Sequence, residues 1–337
     1  MKPNDHKLTD KRYTIPFVLI TSLFFLWGFA RAILDVLNKH FQNVLDISIT
    51  QSAWIQVTTY LGYFLMAIPA GIFINRNGYR RGVVFGLLLF GIGALLFIPG
   101  AQIGEFYVYL AALFVIGCGL VFLETAANPY VTELGPSETS TSRLNLSQSF
   151  NGLGSLFATL VVGQFLFNGS ETGGNVVVPY TILGALVLAI AVVFARVDLP
   201  EIQHQQTVEA QAQGNNYSKL WRHKLFVFGL FALLAYEVAE ISINSYFINF
   251  VTGQGWMTDN LASIVLTAAL AFFMVGRFLG SWIMRRILPQ KMLLYCAVGC
   301  VCSVGLVLMD IGKISMIALI ANYLFEAIMF PTIFALS

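Results

Sequence analysis

Phe106-Tyr-Val-Tyr-Leu-Ala-Ala-Leu-Phe-Val-Ile-Gly-Cys-Gly-Leu-Val-Phe-Leu-Glu124-Thr-Ala-Ala-Asn128-Pro129 is the stretch that decides the fold class. No charge occurs from Phe106 to Leu123. A helix crosses a bilayer with about 20 mostly apolar residues, so the run reads as a membrane span that carries a carboxylate near one end. Composition supports this. Of 337 residues, 57% are hydrophobic and only 11% charged, against roughly 25% charged in a soluble domain. So few charges cannot cover a water-facing surface of this size.

Outward from this segment, ten runs of similar character appear, at 14–38, 54–74, 82–100, 105–128, 144–167, 177–195, 224–250, 261–283, 292–309 and 314–337. The polar stretch around 197–222, with Asp198, Pro200, Glu201 and His204, is the long polar linker between them. No cleavable leader is expected, because the first residues are polar and the run after them is too long for a signal peptide. With the N-terminus in the cytoplasm, fifteen of the nineteen Lys and Arg fall in cytoplasmic segments and two in outer loops. Positive residues favour the cytoplasmic side, so the N-terminus is expected inside.

Six spans, a linker and four spans point to two related halves. Glu124 and Pro129 recur as Glu326 and Pro331, 202 residues later. Gly71 before Asn75-Arg76 recurs as Gly280 before Arg285-Arg286, and Asp35 as Glu240. Such repeats are common in transporters. The expected organisation is an N-terminal six-helix bundle at 1–196, a cytoplasmic linker at 197–223, and a C-terminal bundle at 224–337 with four helices present. The last two helices of a six-plus-six plan are expected to be missing from this chain.

Ionisable groups at bilayer depth are costly and mark functional sites. They are Arg31, Asp35, Glu124, Glu237, Glu240, Arg277 and Glu326. Helical spacing aligns Arg31, Asp35 and Asn38 on one face, and likewise Glu124 with Asn128, Asn145 with Gln148 and Asn151, Glu237 and Glu240 with Asn244, and Asn322 with Glu326. Gln56, Tyr60 and Tyr63 line the second span. These stripes belong on the bundle interior. The four histidines lie in tails, loops or span ends, so any proton carried at the membrane centre falls to carboxylates. Arg31 stands one helical turn from Asp35, whereas Glu124 has no cation near it in sequence. An ion-pair or helix-break role is the structural alternative for these acids.

No Gly-x-x-x-x-Gly-Lys-Ser/Thr motif is present, so ATP is not the expected energy source. No nucleophile elbow or His-Glu-x-x-His motif is present either, and the chain is not read as an enzyme. The four cysteines lie inside apolar runs with no histidine near them, and no metal or other cofactor is expected. The positive residues read as topology signals, not as a nucleic-acid surface.

Gly71-Ile-Phe-Ile-Asn-Arg-Asn-Gly-Tyr-Arg-Arg81 resembles the loop signature of the major facilitator superfamily, with Asn75 where the signature carries Asp. Gly276-Arg277-Phe-Leu-Gly280 with Arg285-Arg286 looks like its second-half copy. Leu123-Glu-Thr-Ala-Ala-Asn-Pro-Tyr-Val131 and Arg143-Leu-Asn-Leu-Ser-Gln-Ser-Phe-Asn151 closely resemble the fucose:proton symporter family. Phe24-Phe-Leu-Trp-Gly28 and Phe330-Pro-Thr-Ile-Phe334 are similar as well. The first span departs from the fucose type, with Arg31 and Ala32 where that type carries a pair of Asn.

The resemblance implies an all-α membrane protein of the major facilitator fold, with two six-helix bundles. It implies import of a monosaccharide, L-fucose or a related hexose, together with protons. Asp35 and Glu124 would be the proton-coupling acids. Arg31, Asn38, Gln56, Tyr60, Tyr63, Asn128, Gln148, Asn151, Tyr236, Glu237, Glu240, Asn244 and Glu326 are the expected substrate-binding residues. Aromatic rings, among them Trp27, Phe122, Tyr246 and Phe250, would face the apolar side of a sugar. Asn75, Arg76, Arg80, Arg81 and Arg277 are the expected gating residues. The expected partners are the sugar, protons and the lipid bilayer, and the expected state is a monomer in a bacterial inner membrane. Two other functions fit the same residues. A proton-coupled exporter would use Glu237 and Glu240 to attract cationic or drug-like compounds, and a membrane sugar sensor would bind without transport.

Overall fold

The computed structural model describes residues 8–44, 48–167, 177–197 and 221–337. Lys2, Lys7 and most of the expected linker at 197–223 lie outside them. The side chains of residues 34–44, including Asp35 and Asn38, also lie outside the description, as does that of Tyr246. Every described regular element is a helix. In chain order they are α1 (Thr14–Val44), α2 (Ile49–Asn77), α3 (Tyr79–Leu95), α4 (Phe97–Ile103), α5 (Phe106–Glu133), α6 (Ser140–Phe167), α7 (Val177–Arg196), α8 (Lys224–Gly253), α9 (Asp259–Ile283), α10 (Pro289–Leu308), α11 (Lys313–Glu326) and α12 (Met329–Leu336).

Local chemistry sets several helix ends. At the start of α2, the Ser48 hydroxyl accepts from the Gln51 amide at 3.1 Å, and the Gln51 side chain accepts from the Ser48 amide at 2.9 Å. This reciprocal capping box satisfies two otherwise unpaired donors. It starts α2 five residues before the run expected at 54–74. Gly78, at φ 86°, links α2 to α3, a left-handed backbone that glycine tolerates best.

Proline breaks two of the expected spans. A proline has no amide proton, and its ring clashes with the carbonyl four residues earlier. Pro99 divides the third span into α3 and α4 at Leu96. Pro331 divides the tenth into α11 and α12 at Ala327 and Ile328. The related Pro129 leaves α5 a continuous helix from Phe106 to Glu133, so the two Glu-x-x-x-x-Pro copies have different backbones.

By length and composition, nine helices among the described residues can cross a membrane. The expected fifth span, α6, is helical. Its first half carries Ser142, Asn145, Ser147, Gln148 and Ser149, all buried. Outward-facing apolar side chains match a lipid environment: Phe64 is 78% exposed and Val301 73%.

The chain forms two compact units. One comprises Ile15–Val131 and Phe150–Ile202. The other comprises Met1–Thr14, Thr132–Ser149 and Gln203–Ser337. The second unit therefore takes in the segment between α5 and mid-α6, which the sequence assigns to the N-terminal bundle. Specific hydrogen bonds account for this. The Ser142 hydroxyl donates to the Ser281 carbonyl at 2.5 Å, and the Ser281 hydroxyl donates to the Ser142 carbonyl at 2.7 Å. The Asn145 amide donates to the Thr332 hydroxyl at 3.3 Å.

Arg143, 0% exposed, clamps the loop before α6. Its guanidinium donates to the carbonyls of Leu8 (3.0 Å), Pro136 (2.9 Å) and Thr132, and to the Thr139 hydroxyl (2.7 Å). A lysine ammonium lacks this planar fork. Arg143→Lys is therefore expected to destabilise the protein by about 1–3 kcal/mol, the cost of leaving buried partners unsatisfied. A thermal unfolding scan in detergent checks this.

Candidate functional site

In the unit containing Ile15–Val131, α1, α2 and α5 bring together residues far apart in sequence. The Arg31 guanidinium lies within electrostatic reach of Tyr60, Tyr63 and Glu124. The Trp27 indole nitrogen donates to the Tyr63 hydroxyl at 2.9 Å. The Tyr60 and Tyr63 rings lie 6.0 Å apart at 48°. Tyr60 is 46% exposed, Arg31 is exposed, and Gln56, Tyr63 and Glu124 are half-buried. The arrangement is an aromatic-edged cluster with one cation and one carboxylate. Sequence spacing places Arg31 beside Asp35; the fold also gives it Glu124 as an electrostatic partner.

Asn128 on α5 is buried. Asn151 on α6 is half-buried, and its amide nitrogen has no hydrogen-bond partner. α6 approaches α1 at backbone distance there. The Ser155 hydroxyl donates to the Gly28 carbonyl at 3.0 Å, and a methyl group at Gly28 would overlap the Asn151 carbonyl.

Of the expected gating residues in this unit, Asn75, Arg76 and Arg81 are exposed. Arg80 donates its Nε to the Phe194 carbonyl at 3.3 Å and an Nη to the Ala195 carbonyl. These carbonyls belong to the last turn of α7, where helices leave acceptors unpaired and favour a positive charge.

The other unit holds Gln148, Tyr236, Glu237, Glu240, Asn244, Arg277, Asn322 and Glu326. The break at Pro331 organises them. Pro331 has no amide proton to give the Ala327 carbonyl, and the Arg277 Nε donates to that carbonyl at 3.0 Å. The Tyr236 hydroxyl donates to the adjacent Glu326 carbonyl at 3.1 Å. Arg277 also donates to the Gln148 carbonyl at 3.2 Å and stacks 4.5 Å from the Phe273 ring centroid. Its main contacts are thus to backbone.

Glu326 is 4% exposed. Its Oε2 accepts from the Asn322 amide at 3.0 Å, and its Oε1 is buried without a partner. Asn322 Oδ1, Asn244 Oδ1 and the Tyr323 hydroxyl are likewise buried without partners. A cavity of about 280 Å³ opens between α8, α10 and α11, lined by Ser242, Ile243, Phe247, Phe250, Val307 and Asn322 among others. It is almost wholly apolar, so its lining does not match a sugar's hydroxyls.

The reciprocal pair Ser142 and Ser281, 139 residues apart, carries no signal in the sequence. Serine is common in small-residue helix contacts, and nothing marks these two as partners.

Comparison with known proteins matches residues 20–337 to the Major Facilitator Superfamily profile. The chain belongs to the major facilitator superfamily. Within this superfamily of membrane transporters, it falls in the fucose:proton symporter family. The L-fucose-proton symporter of Escherichia coli K12 is 35% identical over 356 residues, covering 97% of this chain and 80% of that protein. A glucose/galactose transporter of Brucella abortus is 35% identical over 340 residues, covering 98% and 81%. A crystal structure of the Escherichia coli fucose:proton symporter superimposes with a TM-score of 0.84 at 32% identity, covering 96% of this facilitator and 84% of that chain. The facilitator fold expected from the loop signature is therefore present, and the chain is a multi-span membrane protein.

Proposed function

We propose that this facilitator is a proton-coupled sugar symporter that imports a monosaccharide, L-fucose or a related hexose, by alternating access. The observation that carries this is the grouping of Arg31 with Tyr60, Tyr63 and Glu124 beside the Trp27–Tyr63 hydrogen bond, an ionisable cluster set among spanning helices. The relatives' substrates, L-fucose and glucose or galactose, supply the substrate class. The positive-residue bias supports a bacterial inner-membrane location with the N-terminus in the cytoplasm.

In this mechanism Glu124, and Asp35 with it, takes a proton from the outside. Neutralisation removes buried charge, frees Arg31 from its carboxylate partner, and lets the loaded carrier reorient. Sugar binding favours the protonated form, and by linkage the proton raises sugar affinity by the same factor. The proposed sugar contacts in the first unit are Arg31, Asn38, Gln56, Tyr60, Tyr63, Asn128 and Asn151. In the second they are Gln148, Tyr236, Glu237, Glu240, Asn244 and Glu326. A few placed polar groups among aromatic walls give such a site its specificity. Arg277, holding Gln148 and Ala327, and the Arg76, Arg80 and Arg81 loop serve as latches.

Uptake of labelled L-fucose, glucose and galactose into proteoliposomes tests the proposal. An acid-outside gradient is expected to drive accumulation of at least one of them above equilibrium, and its collapse is expected to abolish the excess. Binding without uptake, or uptake of a cationic dye that no sugar inhibits, would overturn it.

A further inference from the structure

We propose that Leu8 and Thr9 form a strap whose seating is coupled to the contact between α6 and α9, so that strap and contact close and open together. The seat admits the strap as backbone. Gly135 takes φ 152°, a conformation that glycine tolerates best. A methyl group there would lie 3.1 Å from the Thr9 Cα and 3.2 Å from the Leu8 carbonyl oxygen. It would also lie 2.8 Å from the Arg143 guanidinium. The missing side chain at Gly135 is therefore the space the strap occupies.

Polar contacts then fix it. The Thr9 hydroxyl donates to the Leu134 carbonyl at 2.6 Å. The Arg143 guanidinium donates to the Leu8 carbonyl at 3.0 Å, and the Thr139 hydroxyl lies 3.2 Å from the same oxygen. Leu134, Thr139 and Arg143 are all fully buried. A buried charge is tolerated when its donors are matched, and the strap supplies one of the acceptors that match Arg143.

The link to α9 is one residue long. Ser142 precedes Arg143 in the first turn of α6, which begins at Ser140. Ser142, Asn145 and Gln148 follow at intervals of three, so they share one helix face. That face meets the Ser281 hydroxyl and carbonyl, the Thr332 hydroxyl and the Arg277 guanidinium. The serine pair is exacting, because each hydroxyl donates to the other residue's carbonyl and the two hydroxyl oxygens stand 3.2 Å apart. Releasing the strap frees one of the anchors of Arg143, and a turn of α6 that follows Arg143 carries Ser142 away from Ser281. The functional consequence rests on the alternating-access reading. α6 precedes the linker and α9 follows it, so rocking of the two halves has to part this contact, and the strap sets how readily it parts.

Hydrogen–deuterium exchange of the full chain in lipid nanodiscs, without sugar or a proton gradient, tests the coupling. Deletion of residues 2–9 is expected to speed exchange both at 132–149 and at the end of α9, residues 278–284. The expected factor is about fivefold or more, the lower end of site-to-site coupling. Thr9→Ala is expected to act at the same two places by a smaller factor, and α7 is expected to be unchanged. Coupling is reciprocal, so Ser281→Ala is expected to speed exchange at residues 8–14. That conservative variant keeps the test decisive if the deletion does not fold. Faster exchange confined to 132–139 in the deletion overturns the proposal, as does unchanged exchange at 8–14 in Ser281→Ala. Neither sugar nor gradient enters the measurement, so its failure and the failure of the symport proposal are distinguishable.

Discussion

Glu124→Gln is expected to reduce gradient-driven sugar accumulation to equilibration while leaving sugar counterflow intact. Glutamine matches the shape and neutrality of a protonated glutamate but cannot give up a proton. The variant is locked in the charge state proposed to bind sugar and reorient, so exchange of sugar for sugar continues. Net coupling is lost, because no proton is released inside. The accumulation ratio is expected to fall to about 1, whatever the size of the imposed proton gradient. The sign in pH follows. Wild-type uptake rises as the outside is acidified, because protonation precedes reorientation. Uptake by Glu124→Gln is flat across the same range. Arg31 sharpens this, since its electrostatic pairing with Glu124 is abolished by the substitution as it is by a proton. Accumulation by the variant with a normal pH dependence would remove Glu124 from the coupling role.

Gly154→Val is expected to have the larger structural effect, with loss of most folded protein. At this position α6 meets α1 with no side chain between. Even a methyl group there would overlap the Phe25 carbonyl, and the reciprocal Gly28 faces the Asn151 carbonyl. The obstacles are backbone atoms, which move only if the two helices separate. Membrane helices associate largely through such close small-residue contacts. Overpacking costs roughly 1–3 kcal/mol when side chains can adjust, and more when they cannot. Gly154→Val and Gly28→Val are therefore expected to lower the melting temperature and folded yield sharply in detergent. Gly71→Ala is the internal control. A methyl at Gly71 meets nothing within 4 Å, and alanine in a helix is favoured over glycine by about 1 kcal/mol. It should melt at or slightly above the wild type. Equal melting of all three variants would show that the α1–α6 approach contributes little.

Much of this protein was legible in its sequence because the bilayer is a simple solvent. Long uncharged runs such as Phe106–Leu123 have no other stable fate than helices, so the spans needed no tertiary information. The facilitator signature at Gly71–Arg81 and the Leu123–Val131 and Arg143–Asn151 blocks identified the family, because those residues serve local needs of turn and helix contact. The rare ionisable residues inside spans stood out for the same reason, being costly in hydrocarbon.

What the sequence could not carry was partnership across distance. Helical spacing joined Arg31 to Asp35 on one face, but only packing of α1 against α2 and α5 brings it to Tyr60 and Glu124. Only the fold shows that the kink at Pro331 releases two carbonyls, one answered by Arg277 and the other by Tyr236, while Pro129 in the related motif leaves its helix unbroken. The grouping of Thr132–Ser149 with the later helices likewise depends on the Ser142–Ser281 and Asn145–Thr332 contacts. Solvent preference is a property of each residue in turn, and chain order records it. Hydrogen bonding and charge pairing belong to pairs of residues, and tertiary structure alone decides which pairs meet.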